Sequence, residues 1–265
     1  MNEEQKENIE ISNRFLGYGD PKKAVIYYFG LEEGAPFKSS QDIRNIANPP
    51  DQFVEINNDR YFFDNTKGNR GVKGNTESFQ AYLSYKILKE FFDIKELPET
   101  VDIYKSGYYI ENEDRVFSSN TYPLGASSIG SNPNISLTGF TDKNEYYDYS
   151  WGQTSTPRKE VLKIFINDIK RNNSDYLIFI MGNYTYPPKR GRSAQERLKP
   201  ICEELGFTFG KLTFPDTKEK LYNTFTNIEL KWECSNCKKI WLIGHPSKGA
   251  SDERLADRIV NFLKI

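Results

Sequence analysis

The sequence predicts a single α/β domain, residues 1–265, built on a central, mainly parallel four-stranded sheet flanked by helices. Three observations carry that prediction. Four short runs have strand character: Ala24–Phe29 (AVIYYF), Arg115–Tyr122 (RVFSSNTY), Tyr176–Met181 (YLIFIM) and Ile240–Ile243 (IWLI). The segments between them include apolar residues at helical spacing, and strands alternating with helices argue for a parallel sheet covered on both faces. No internal repeat or composition break divides the chain, and 265 residues suit one large domain.

Composition narrows the partners. With 17 Tyr and 18 Phe but only 2 Met, the core is expected to be built from rings. The net charge of -1 gives no global basic field, so any nucleic-acid footprint must be a local patch. The opening MNEEQKENIEIS has no basic and apolar leader pattern, and no apolar run reaches membrane-spanning length. The expectation is a cytoplasmic, monomeric protein with no membrane partner.

Taken in order, residues 1–13 form a polar N-terminal segment, followed by the Gly/Pro-rich approach Arg14–Pro21. The first strand, Ala24–Phe29, runs into Gly30-Leu31-Glu32-Glu33-Gly34-Ala35-Pro36-Phe37. That places two carboxylates at a strand's carboxyl end, where open α/β sheets bind ligands. Asn57–Asn75 reads as a polar loop whose Lys67, Arg70 and Lys73, spaced by glycines, could meet phosphates or could be a solvated surface. Phe79, Leu83, Ile87, Leu88 and Phe91 keep helical spacing and read as core. The second strand ends in Asn120-Thr121-Tyr122-Pro123, and residues 125–156 form a long Ser, Asn, Gly and Tyr-rich loop insertion without periodicity.

Val161, Leu162, Phe165, Ile166 and Ile169 mark the next helix, which leads to the third strand and Gly182. Tyr184–Arg192 is a Pro-rich basic turn carrying Lys189, Arg190 and Arg192, candidate contacts to DNA phosphate; the helix that follows stops at Gly206. The fourth strand opens onto Gly244-His245-Pro246-Ser247, and His245 is the only histidine. Pro246 ends strand pairing, Ser251 can cap the last helix, and Asp252 and Glu253 suit its positive end. Leu255, Ile259 and Leu263 mark its buried face. A lone C-x-x-C, Cys234 to Cys237, leaves only Cys202 and His245 to complete a closed zinc site, so reduced thiols and no metal are expected.

The order of these elements resembles the uracil-DNA glycosylase superfamily: a strand ending in Gly30-Leu31-Glu32-Glu33-Gly34, a strand ending in Asn near Pro, a strand ending in Gly182, and Gly244-His245-Pro246-Ser247. The first family motif is Gly-x-[Asp/Asn]-Pro-[Tyr/Gly] and the last is His-Pro-Ser or a relative; the likeness extends from about Phe15 to the C-terminus. It implies a monofunctional DNA glycosylase that uses water, needs no metal or diffusible cofactor, flips its target base and leaves an abasic site for downstream nucleases. Breaking an N-glycosidic bond develops positive charge on the sugar and negative charge on the base. Glu32 matches the position that orients water and stabilises the sugar cation, His245 the donor to the pyrimidine O2, and Asn120 the reader of the flipped base's edge. Gly30 and Gly34 would border the base, Phe37 would stack on it or serve the core, and Ser247 and Lys248 would face DNA phosphate.

Two departures shape the expectation. Glu33 stands where the family has proline, so Glu32 and Glu33 compete for the water; motif register favours Glu32. Alternatively, Glu33 pairs with a loop cation while Glu32 caps a helix. Gly34 stands where strict uracil enzymes carry a blocking tyrosine, so the expected substrate is a 5-substituted pyrimidine, such as glucosylated 5-hydroxymethylcytosine of phage DNA. That would make the chain an anti-phage defence enzyme. The alternatives are a uracil or mismatch repair glycosylase and a catalytically silent DNA-binding member.

Overall fold

The structure is a computed structural model. It describes residues 1–32, 37–47, 53–64, 75–92, 94, 97–106, 115–122, 134–151, 157–182, 184–185, 201–207, 221–222, 229–230, 233–235, 237–243 and 252–264.

Strands β1 (Phe15–Tyr18), β2 (Ile26–Glu32), β3 (Phe53–Ile56), β4 (Asp59–Asp64), β5 (Val116–Tyr122), β6 (Leu177–Met181), β7 (Tyr184–Thr185), β8 (Leu221–Tyr222), β9 (Glu229–Leu230), β10 (Glu233–Cys234) and β11 (Ile240–Ile243) form two sheets. The helices are α1 (Glu3–Arg14), α2 (Ser40–Ala47), α3 (Asn75–Phe91), α4 (Val101–Ser106), α5 (Ile135–Thr138), α6 (Lys143–Trp151), α7 (Pro157–Asn172) and α8 (Asp252–Leu263). Among the described residues the main sheet has eight strands in the order β10-β11-β6-β2-β5-β1-β4-β3, and β7-β9-β8 form a small second one.

The α/β class holds, but the sheet is larger and more mixed than the four parallel strands expected. Those four are its contiguous centre, β11-β6-β2-β5, and pair in parallel throughout. Antiparallel pairs extend it on both sides: β10 on β11, and β1 on β5 with the β3–β4 hairpin beyond.

Side chains on the central strands alternate between two cores, as a period of two requires. Tyr27, Phe29, Phe117, Ile178, Ile180, Ile240 and Leu242 face a core that includes Leu162, Phe165, Ile166 and Ile169 of α7 and Ile9 of α1. Ile26, Tyr28, Val116, Phe179, Met181, Trp241 and Ile243 face Phe79, Leu83, Ile87 and Leu88 of α3 and Ala256, Ile259 and Val260 of α8. Helices on both faces explain why β2, β6 and β11 read as apolar runs. Rings do much of the filling: Phe165 meets Phe117 at 5.4 Å, Phe29 at 6.1 Å and Tyr27 at 6.3 Å between centroids.

Several expectations need correcting. The polar N-terminal segment is α1, closed by a capping box in which Asn2 accepts from the Gln5 amide and the Gln5 side chain accepts from the Asn2 amide. The Gly/Pro approach contains β1, which lies so close to β5 that a Cβ at Gly17 would overlap the Ser118 carbonyl. Part of the supposed 57–75 loop is β4, joined to β3 by Asn57 and Asn58 at φ 54° and 66°. Such left-handed pairs make tight hairpins that match strand twist. The 125–156 insertion contains α5 and α6. Phe91, expected in the core, is 38% exposed. Residues 201–204 are also helical, and Gly206, at φ 89°, follows their end.

Candidate site at the carboxyl ends of β2 and β5

β5 and β6 lie on opposite sides of β2, so the chain reverses its direction of sheet growth at β2. In open α/β sheets the crevice beyond the strand ends at such a reversal is where ligands bind. β2 extends past its apolar run and ends at Glu32. Gly30 pairs with Asn120 and Glu32 with Tyr122.

Gly30 makes this register possible. A Cβ built there would lie 2.6 Å from Asn120 Oδ1, so the Asn120 amide occupies the space that any other residue would fill. The Thr121 hydroxyl donates to the Gly30 carbonyl and ties the two strands on the other side of the same pair. β11 ends at Ile243, in register with Met181, two residues before His245.

Below Asn120 lies Arg158, 1% exposed and second in α7. Its Nη2 donates to the Asn120 carbonyl at 2.6 Å, and its Nη1 to the carbonyls of Phe15 at 2.8 Å and Asn13 at 3.0 Å. Burial pushes this guanidinium down to about 10, against a smaller opposing effect of Tyr146, so it stays charged at neutral pH. No carboxylate pairs with it among the described residues, and its buried Nε has no hydrogen-bond partner.

The remaining expected residues divide into two groups. Phe37 is 5% exposed and packs edge-on against Phe15 at 6.2 Å, so its ring belongs to the core. Glu33, Gly34, Lys67, Arg70, Lys73, Lys189, Arg190, Arg192, His245, Ser247 and Lys248 lie outside the described residues. Cys202 is buried and Cys237 is exposed on the β10–β11 turn, with its Sγ 2.9 Å from Ser235 Oγ. Among the described residues no three His, Cys, Asp or Glu side chains converge as a metal site.

Arg158 and Thr121 were missed from sequence. The signal for Arg158 was present: it sits at i, i+4, i+7 and i+11 with Leu162, Phe165 and Ile169, a cation on the buried stripe of its helix. It also occupies the first turn, where the helix dipole disfavours positive charge.

A cavity of about 570 Å³ lies elsewhere, between α1 and the start of α7, and includes Ile9, Asn13, Tyr61, Tyr149 and Val161 in its walls. Neither Gly30 nor Asn120 lines it, and its three carboxylates, Glu10, Asp59 and Glu160, outnumber its two side-chain cations, Lys6 and Arg14, by only one. The strand ends, where sheet growth reverses, the Asn120 amide stands over Gly30 and β2 ends at Glu32, are the stronger candidate. No helix among the described residues is long and apolar enough to cross a membrane. No protein-family model, curated protein or solved structure matches the chain.

Proposed function

We propose that the chain is a DNA glycosylase that hydrolyses the N-glycosidic bond of a flipped, 5-substituted pyrimidine, acting on DNA in the cytoplasm. The observation that carries the reading is the pairing of Gly30 with Asn120 on adjacent parallel strands, with Glu32 ending β2 two residues further on. An amide offering both a donor and an acceptor thus stands on the strand next to the one whose last residue is a glutamate, and such a reaction calls for both residue types.

The step balances without a cofactor. A water oxygen bonds to C1′ as the C1′–N1 bond breaks, and the water proton passes to the Glu32 carboxylate. The bonding pair leaves with the base, steadied by a donor on its O2, for which His245 is the candidate. The base then takes a proton from solvent and departs, leaving an abasic site. Gly34 carries no side chain where strict uracil enzymes of the resembled superfamily have a blocking tyrosine, and this residue type supports a substituent on C5.

Mass spectrometry of bases released from DNAs carrying uracil, thymine mismatches, 5-hydroxymethylcytosine or its glucosylated form tests the reading, with Glu32→Gln and His245→Ala beside wild type. Release from the bulky modified DNA, lost in both variants, supports it. Release of uracil or mismatched thymine alone assigns the chain to repair. DNA binding without release from any substrate overturns catalysis.

A further inference from the structure

We infer that Arg158 is a positioning residue for the proposed reaction, holding the Asn120 peptide at the end of β5 and placing an uncompensated positive charge beneath the departing base. The inference rests on the glycosylase reading and extends it to a residue that carries none of the expected motifs.

The geometry supplies the first half. β1 and β5 are antiparallel neighbours that pair at Tyr18 and Ser118, and β1 departs from regular register with β4 between Phe15 and Gly17. Arg158 bridges the strands beyond that pair, donating to Phe15 on one strand and Asn120 on the other, and to Asn13 at the end of α1. The Asn120–Gly30 pair is therefore held from two sides, by Arg158 at the Asn120 carbonyl and by the Thr121 hydroxyl at the Gly30 carbonyl. A group that must read a base edge to within a few tenths of an ångström needs such support.

The charge supplies the second half. A staple between carbonyls requires donors but no net charge, and a buried cation is unfavourable unless something compensates it. Here only carbonyl oxygens do so among the described residues. The positive field then extends toward the strand ends, weakly screened in a buried setting. Cleavage of the glycosidic bond creates negative charge on the base at that end of the sheet, and a fixed cation acts more strongly on that charge than on the neutral ground state.

Three full-chain variants separate donors from charge: Arg158→Lys keeps the cation, Arg158→Gln keeps donors without charge, and Arg158→Met keeps neither. Each is measured for kcat and KM on the DNA that wild type cleaves, and for Tm. The expected result is a kcat loss of about 10²-fold or more in the Gln and Met variants, within about 10-fold in Lys, and KM for DNA within about threefold throughout. A kcat that follows Tm rather than charge, with Gln equal to or better than Lys at matched stability, overturns the inference. So does a rise in KM at unchanged kcat. If wild type releases no base from any DNA of the panel, the glycosylase reading itself fails and this inference falls with it.

Discussion

Asn120 lies over Gly30, its Oδ1 2.6 Å from where a Cβ on residue 30 would stand. The clash would involve the end of a polar side chain rather than backbone, so Gly30→Ala can be accommodated by turning the Asn120 amide away. The fold is expected to tolerate this within about 1 kcal/mol. Base release under the proposed function is not expected to survive it, because displacing a positioning group by about 1 Å costs on the order of 10²-fold. Urea midpoints and base-release rates on the same preparation check this. A stable variant with wild-type rate would remove Asn120 from the site.

Phe165 is the ring on which the α7 face of the sheet is packed, touching rings from both β2 and β5. At 2% exposure it has little route to relax after truncation. Phe165→Ala is expected to cost about 3–5 kcal/mol, whereas Phe165→Leu retains much of the volume and is expected to cost less. Chemical denaturation of both variants tests it, and a loss below about 1 kcal/mol for alanine would show that α7 is not the packing partner of β2 and β5.

The hairpin between β3 and β4 turns on Asn57 and Asn58, both with positive φ. Asparagine tolerates that region and β-branched residues do not, at about 1–2 kcal/mol per residue. Asn58→Val should therefore lower the thermal midpoint while Asn58→Gly leaves it unchanged or higher. Equal effects of the two substitutions would mean that the turn is not left-handed in solution.

These cases show why the sequence was readable in some places and not in others. Three of the four central strands were legible because burial on both faces leaves runs of apolar residues, β5 more weakly because it carries Ser118, Ser119, Asn120 and Thr121, and α3 and α7 because their apolar faces repeat at helical spacing. The edge elements were less legible. β1 is four residues containing a glycine, and β4 hides its rings between charged ends. α1 has a low apolar content, yet its Asn2 to Gln5 capping box was a readable signal that composition obscured. At the candidate site, Glu32 is readable because strand ends are where such sheets bind ligands, and Asn120 through the motif resemblance. Their registration through Gly30, and the support from Arg158, are consequences of pairing between segments some ninety and forty residues apart, which no local pattern encodes.

Tyr27 gives the stability a defined alkaline limit. Burial raises its pKa from 10.0 to about 12, against the lowering effect of the Asn173 side chain, and Asp20 and Asp168 add to the rise. Its hydroxyl donates to the carbonyls of Ala24 at 2.7 Å and Pro21 at 3.0 Å, bonds that only the protonated phenol can make. The folded state thus holds a proton that the unfolded chain releases from about pH 10 upward. By linkage this contribution is complete below about pH 10 and is lost as pH rises through about 12, at a slope of about 1.4 kcal/mol per pH unit. Tyr28 is raised by its own burial and steepens the decline. Tyr27→Phe lacks the two hydrogen bonds and is expected to be less stable at neutral pH by about 1 kcal/mol, with a shallower alkaline decline, so its curve should approach that of wild type. Urea midpoints across that range decide it: parallel curves would mean that Tyr27 is not the group that titrates on unfolding.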